Sequence, residues 1–186
     1  MLNIAILSSH NGSGFDAIYE AIKNQILDAK ISLIISNNRD ANILKKAKKY
    51  ELKNALVNSQ TDESPNEKIY ALLKKSNCDL VFLSGYMKKL SSKITKDFNI
   101  INSHPSLLPK YGGSGMYGKY VHEAVIKNQE KISGVTIHTV NEIYDDGKII
   151  LQKSLTIKND ETLQSLEIKI KELEKIAIVE VIKRLC

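Results

Sequence analysis

The chain has 186 residues, of which 42% are hydrophobic and 26% charged, a balance typical of one soluble globular domain with a substantial core. The apolar start is too short for a membrane span and lacks the basic residues of a signal peptide, so we expect a cytoplasmic protein without a membrane partner. The net charge is +6, but only Arg39 and Arg184 are arginines. Because sequence-reading nucleic-acid interfaces favour arginine forks, the excess lysine predicts a solvated surface rather than a nucleic-acid partner.

Short apolar segments alternate with longer amphipathic ones along the chain. In order, the pattern predicts strands or helices as follows: strand 2–7, helix 15–27, strand 31–35, helix 41–50, strand 55–57, helix 64–75, strand 80–83, a strand ending at 100–101, helix 119–128, strands 135–140 and 149–155, and helix 161–185. This alternation predicts an α/β fold, with three layers and a mostly parallel twisted sheet that carries helices on both faces. In such sheets ligands bind beyond the carboxyl ends of the strands, so the loops there are the first candidates for a site.

The loop after the first strand, residues 8–14, is rich in glycine and small polar residues. Its glycines allow a sharp turn, and the N–H groups at the start of the next helix would bind an anion, most often phosphate. Residues 12–17 also match the dinucleotide fingerprint G-x-G-x-x-A, and Arg39 would suit the 2′-phosphate of NADP. On its own, the loop is compatible with a phosphate site, an NADP site or a turn without a ligand.

The loop 101–109 follows the fifth strand and contains Asn102 and His104, two positions apart. In an extended segment both side chains point to the same side. A carboxamide donor and an imidazole aimed at one point are suited to stabilising a developing oxyanion. Pro105 and Pro109 stiffen the segment that follows. This combination predicts a catalytic site.

A third loop, Tyr144-Asp145-Asp146-Gly147, lies between the last two strands. A carboxylate beside a histidine raises the pKa of that histidine, so Asp145 is an acid–base candidate if it meets His104. As an Asp-Gly hairpin turn the loop would need no function. We expect His138 to support the site and His122 to be structural, and the glycine-rich segment 112–118 to be a substrate lid or a long loop.

Three of these segments carry a family resemblance. The eight residues Asn102 to Pro109 resemble the central motif of the folate-dependent formyltransferases, and Asp145 with Gly147 resembles their second motif. Residues 11–13 are similar to the phosphate loop in the branch of this family that acts on glycinamide ribonucleotide. The resemblance implies a Rossmann-like formyltransferase fold over 1–186, and transfer of a formyl group from 10-formyltetrahydrofolate to the amine of 5-phosphoribosylglycinamide. That reaction is a step of de novo purine biosynthesis, and the resemblance implies no metal.

The resemblance also implies roles for particular residues. Those implied for catalysis are Asn102, His104 and Asp145. The residues implied for binding the phosphate-bearing substrate are Gly12, Ser13, Gly14, Lys171 and Glu174. Those implied for binding formyl-folate are Met87, Lys88, Lys89, Leu90, Asn102, Asn141, Glu142, Ile143, Tyr144 and Asp145. The amino-terminal half would then bind the phosphate substrate, and the carboxyl-terminal half would bind folate and carry out catalysis. Relatives often have Asn where this chain has Gly14, and often have an arginine for the folate tail that residues 59–67 lack.

Three other functions compete with this hypothesis. Methionyl-tRNA formyltransferase and formyltetrahydrofolate hydrolase share the central motif but carry an additional domain, which we do not expect here. An NADP-binding oxidoreductase would explain residues 12–17, but it assigns no role to Asn102, His104 and Asp145 together. We therefore expect only small-molecule substrates as partners, and a monomer or a homodimer.

Overall fold

Seven strands form one sheet in the computed structural model, which describes residues 1–186. They are β1 (Leu2–Leu7), β2 (Ala29–Ser36), β3 (Asn54–Leu56), β4 (Leu80–Leu83), β5 (Ile100–His104), β6 (Ile132–Thr139) and β7 (Ile149–Thr156). Their order across the sheet is β3-β2-β1-β4-β5-β6-β7. The first five strands pair in parallel, whereas β6 runs antiparallel to both β5 and β7. The predicted mostly parallel sheet is confirmed, with β6 as its exception.

Six helices cover the two faces of this sheet. They are α1 (Ser13–Lys23), α2 (Asn42–Lys49), α3 (Pro65–Ser76), α4 (Ser92–Asp97), α5 (Lys119–Lys127) and α6 (Leu163–Lys183). Because side chains alternate along a strand, Ile4 and Ile6 of β1 join a core with α1, α2, α5 and α6. Ala5 and Leu7 join the opposite core with α3 and α4. The predicted three layers are confirmed, and no helix is both long and apolar enough to cross a membrane.

The main differences from the sequence-based prediction concern β5, α4 and α1, and β6 also begins three residues earlier than predicted, at Ile132. Strand β5 continues to His104, so Asn102 and His104 lie within the strand rather than in the loop after it. Helix α4 was not predicted, because its six residues contain one buried apolar side chain, Ile94, and show no helical period. Helix α1 begins at Ser13 and ends at Lys23, since Gln25 just beyond it adopts a left-handed backbone with φ of 58°.

The loops after β1 and β4 separate at the centre of the sheet, where the strand order reverses, and this leaves a crevice between them. Hydrogen bonds join the loops beneath the crevice, among them one from the N–H of Ser9 to the carbonyl of Gly85 at 3.1 Å. The N–H of Gly14 donates to Oγ of Ser84 at 3.0 Å, and the N–H of Met87 donates to Oγ of Ser9 at 2.7 Å. The fold therefore holds the two loops in a defined relation before any ligand binds.

Candidate active site

A cavity of about 610 Å³ opens from this crevice toward the end of β5. Its walls come from the loops after β1 and β4, the end of β5, the segment 112–118, the loop 140–148 and helix α6. The volume lies in the range of sites for small organic molecules. Every residue that the sequence placed in a site lines this cavity, with the exception of Gly14.

Gly14 is buried against β4 instead of lining the cavity, so in this structure it packs the phosphate loop against the sheet. Its N–H is already bonded to Ser84 and is not available to a ligand. A Cβ on Gly14 would lie 2.4 Å from Cε1 of Phe82, which leaves no room for a side chain. Arg39 is exposed and outside the cavity wall. Neither Gly14, the second glycine of the dinucleotide fingerprint, nor Arg39 is therefore placed to bind NADP.

The remainder of the glycine-rich loop forms an open anion site. Gly12 has a φ of 63°, which turns the chain sharply so that α1 begins at Ser13. The N–H groups of Gly12 and Ser13 have no hydrogen-bond partner within the chain, as is usual for the first residues of a helix. Nζ of Lys46 donates to the carbonyl of Asn11 at 2.9 Å and pairs with Asp16, which fastens the loop to α2.

Asn102 and His104 lie on the same face of β5, and Asp145 reaches them from the loop 140–148. Oδ2 of Asp145 is 3.5 Å from Nδ1 of His104, and Oδ1 is 3.6 Å from Nε2 of His138. The N–H of Gly113 donates to Oδ2 at 2.9 Å. Because β6 runs antiparallel to β5, the contact between Asp145 and His104 requires the loop after β6 to fold back over the sheet. The structure thus brings the predicted catalytic residues together and adds His138.

Backbone carbonyls determine which nitrogens of the two rings carry protons. Nε2 of His104 donates to the carbonyl of Tyr111 at 2.7 Å, and Nδ1 of His138 donates to the carbonyl of Thr139 at 2.8 Å. In a neutral imidazole the other nitrogen is an acceptor. Nε2 of His138 therefore accepts from Nδ2 of Asn102 at 3.1 Å. Proton exchange on His104 takes place at Nδ1, the nitrogen that faces Asp145.

Burial lowers the pKa of His104 below its ordinary value, although Asp145 and the Tyr111 carbonyl act in the opposite direction. Burial also tends to raise the pKa of Asp145, but His138, His104 and the N–H of Gly113 outweigh it and leave that pKa lowered. At neutral pH the free protein therefore holds an ionised Asp145 beside a neutral His104.

Glu174 and Lys171 of α6 face the cavity from the other side of the sheet. Oε1 of Glu174 accepts a hydrogen bond from Oγ of Ser103 at 2.6 Å. Burial raises the pKa of Glu174, whereas Ser103, Lys171 and Ser13 act to lower it. Since Ser13 and Lys171 both act on this carboxyl, the phosphate loop and the last helix meet at one end of the cavity.

Ser103 and His122 are two of the wall residues that the sequence does not assign to the site. Ser103 lies between Asn102 and His104, and no sequence pattern identifies it as a site residue. His122 was expected to be structural, but it lines the cavity from α5 and its Nδ1 has no hydrogen-bond partner. Burial lowers its pKa. A histidine on the buried stripe of α5, beside Val121 and Val125, is the sequence signal that could have identified it.

No group of three or more His, Cys, Asp or Glu side chains is placed to hold a metal ion. The fold and the site together define an α/β protein with an acid–base pair and an amide donor at the edge of a mostly parallel sheet. Residues 2–182 match the family model described as formyl transferase. The chain belongs to this family.

Named members of the family resemble the chain over nearly its whole length. It is 35% identical to phosphoribosylglycinamide formyltransferase of Haemophilus influenzae, over 94% of this chain and 82% of that protein. It is 34% identical to a chloroplastic protein of the same name from Vigna unguiculata, over 98% of this chain but 60% of the relative's length. The solved phosphoribosylglycinamide formyltransferase of Coxiella burnetii superposes with a TM-score of 0.89 at 31% identity, covering 98% of this chain and 85% of that one.

Proposed function

We propose that this protein transfers the formyl group of 10-formyltetrahydrofolate to the amine of 5-phosphoribosylglycinamide, a step of de novo purine biosynthesis. The observation that carries the proposal is the meeting of Asn102, His104 and Asp145 in one cavity, from motifs far apart in the chain. The names of the relatives give the same acceptor, phosphoribosylglycinamide, and the same transfer of a formyl group.

One end of the cavity suits the phosphate-bearing substrate. The unpaired N–H groups of Gly12 and Ser13 lie at the start of α1, where the helix dipole also favours an anion. Lys171 adds a positive charge near the same end, beside the buried carboxyl of Glu174. The substrate would therefore bind with its phosphate on the loop and its amine directed toward β5.

The other end suits the folate. Met87 and Leu90 line it from the loop after β4, and the apolar side chains of Ile143 and Tyr144 are 65% and 48% exposed on the loop 140–148. Exposed apolar side chains at a cavity rim are typical of a surface that a ligand covers. A flat aromatic ring system between these two loops would bury them and bring its formyl group to Asn102.

Bound 10-formyltetrahydrofolate supplies the formyl carbon, and side chains of this protein carry out the remaining steps. Asn102 donates one amide hydrogen to His138 and retains the other for a developing oxyanion. As the amine attacks the formyl carbon, His104 accepts at Nδ1 the proton that the amine loses, and the ionised Asp145 stabilises the resulting imidazolium. The same proton passes to the departing nitrogen of tetrahydrofolate when the bond between that nitrogen and the formyl carbon breaks. Holding amine and formyl group in one cavity supplies a further part of the rate enhancement.

We further propose that residues 1–186 act as one domain in the cytoplasm, as a monomer or a homodimer. Its amino-terminal half contributes the phosphate loop, and its carboxyl-terminal half contributes the catalytic residues and much of the folate site. Helix α6 modifies this division, because it returns Lys171 and Glu174 to the phosphate end.

The experiment is to incubate the purified protein with both substrates and to follow the formylated product by mass spectrometry. We expect product with the wild type and a loss of about 10²–10⁴-fold in kcat for His104→Ala, the usual contribution of a general acid or base. A His104→Ala variant with half the wild-type kcat would refute the catalytic role.

The same protein can be tested against the competing functions. Formate released without an acceptor indicates a hydrolase, and formylation of methionyl-tRNA indicates the tRNA enzyme. Calorimetry with NADPH should show no binding, whereas 5-phosphoribosylglycinamide and a folate should each bind. The proposal fails if NADPH binds and the two substrates do not.

A further inference from the structure

We infer that His122 binds the middle of the amine substrate, where its ring forms a hydrogen bond with an oxygen of the ribose or of the glycinamide linkage. The inference rests on the proposed function, which supplies a substrate with a phosphate at one end and an amine at the other. The feature that carries it is a ring nitrogen without a partner in the wall of the substrate cavity.

Nδ1 of His122 is one of three buried side-chain atoms of the protein that have no hydrogen-bond partner. The other two are Oδ1 of Asn3 and Oγ of Ser133, and neither of those residues lines the cavity. Buried polar atoms are nearly always paired, because an unpaired one gives up its hydration without compensation. An unpaired nitrogen in a cavity wall therefore points to a ligand that completes its hydrogen bonding.

The charged groups that act on His122 are themselves engaged with other partners. Lys171 pairs with Glu167 one turn earlier on α6. His104 is bonded to the carbonyl of Tyr111. The ring of His122 is 3% exposed, so it is held by packing rather than by these groups. Since the outer torsion of a histidine side chain is broad, the ring can present either nitrogen to a ligand.

The position of His122 lies between the two ends of the cavity. Lys171 belongs to the end that we assign to the phosphate, whereas His104 belongs to the end where the amine reacts, and both act on the ring of His122. A molecule that spans the two ends therefore passes this ring. In 5-phosphoribosylglycinamide the part that passes it is the ribose with its amide linkage, which offers neutral hydroxyl and carbonyl oxygens.

A neutral imidazole is suited to such oxygens. Burial lowers the pKa of His122, so at neutral pH the ring carries one N–H donor and one acceptor nitrogen. It can donate to a carbonyl or hydroxyl oxygen without a charge on either side. A compound that lacks the matching oxygen would leave the nitrogen unpaired, and a site of this kind rejects such compounds strongly. His122 would therefore contribute to the specificity for the acceptor.

The first test compares three variants by calorimetry. His122→Phe keeps a ring but has no hydrogen-bonding atom, and we expect it to weaken binding of 5-phosphoribosylglycinamide about tenfold while inorganic phosphate and a folate bind as before. His122→Asn and His122→Gln place an amide nitrogen near the positions of Nδ1 and Nε2, so at least one of them should restore most of the affinity. Ser133→Ala is the matched control, because it removes an unpaired buried atom outside the cavity wall, and it should change none of these affinities.

Ribose 5-phosphate identifies the oxygen that His122 contacts. If His122→Phe weakens ribose 5-phosphate and 5-phosphoribosylglycinamide equally, the contact is to the ribose. If it weakens 5-phosphoribosylglycinamide alone, the contact is to the amide linkage.

The second test is nitrogen-15 NMR of histidine-labelled protein, which does not depend on formyl transfer. The ring resonances of His122, identified by their absence from a variant, should shift when 5-phosphoribosylglycinamide binds but not with inorganic phosphate. If the wild type binds this substrate but transfers no formyl group, the proposed function fails, yet these measurements still decide the role of His122. Unchanged binding in His122→Phe with unmoved resonances, or equal losses for inorganic phosphate and folate, would overturn the inference.

Discussion

Asp145 lies 3.5 Å from Nδ1 of His104, while the opposite nitrogen of that ring is bonded to the carbonyl of Tyr111. The backbone bond leaves His104 one nitrogen with which to exchange protons, and the carboxylate stands beside that nitrogen. The two side chains are 5% and 12% exposed, so water screens their interaction only weakly. This arrangement makes His104 and Asp145 one acid–base unit.

Replacing Asp145 by Asn should lower the pKa of His104 further and lower kcat with it. The charge of Asp145 is the largest influence that opposes the effect of burial on the pKa of His104, and its loss leaves the Tyr111 carbonyl as the remaining opposing group. Asn is the suitable replacement because position 145 has a φ of 56°, a conformation that Asn tolerates better than Ala. Proton NMR titration of the ring and steady-state rates measure the two effects.

Asp146→Asn is the matched control, since the exposed carboxylate of Asp146 bonds Asn141 instead of a histidine. The double variant of His104→Ala and Asp145→Asn should be little worse than the more damaging single variant, because the two residues act as one unit. Independent, multiplicative losses without a change in pKa would show that Asp145 is an ordinary turn residue.

Replacing Ser13 by Asp should weaken binding of the phosphate-bearing substrate and spare folate. Ser13 is the first residue of α1, and a carboxylate there favours the helix dipole while it repels phosphate. The readout is KM for each substrate. Asn has nearly the same size as Asp but carries no charge, so Ser13→Asn should have a much smaller effect. Equal increases in both KM values would mean that the loop is misassigned.

Replacing Gly14 by Ala should lower the free energy of unfolding by about 1–3 kcal/mol, the usual cost of overpacking a core. The added methyl group would lie 2.4 Å from Cε1 of Phe82, which must shift to admit it. Urea denaturation measures the change. Because Phe82→Leu removes the atoms involved, the double variant should lose less stability than the sum of the two single variants. If the losses of stability in the two single variants simply add in the double variant, the strain does not arise from contact between residue 14 and Phe82.

Replacing His122 by Leu should make the stability of the protein less sensitive to acid. Burial lowers the pKa of His122 in the fold, so the unfolded chain takes up its proton at a higher pH than the folded one. The wild type should therefore lose stability as the pH falls from about 6.5 toward that lowered pKa, at no more than about 1.4 kcal/mol per pH unit for this proton. Urea denaturation across this interval measures it. If the free energy of unfolding changes with pH in the same way for the wild type and for His122→Leu, the prediction is contradicted.

Most of the architecture could be predicted from patterns within short segments. Continuous apolar strands such as Leu80–Leu83 and the helical period of α6 depend on local composition, and they were identified correctly. Two of the elements that differ, α4 and β5, lack such a local signal. Helix α4 is too short to show a period, and β5 continues through Asn102 and His104 because pairing with β6 extends it beyond its apolar residues. Strand pairing is a long-range property that local composition does not contain.

For the site, the sequence by itself determined which chemical groups are present and that Asn102 and His104 share one side of an extended segment. Only the tertiary structure decided that Asp145 folds back onto His104, that Gly14 belongs to the packing against Phe82, and that burial lowers the pKa of His104. It also decided that Ser103 and Glu174 meet across the sheet. Each of these facts depends on distance and burial among residues remote in the chain, and those quantities exist only once the sheet and its two helical layers have closed around them.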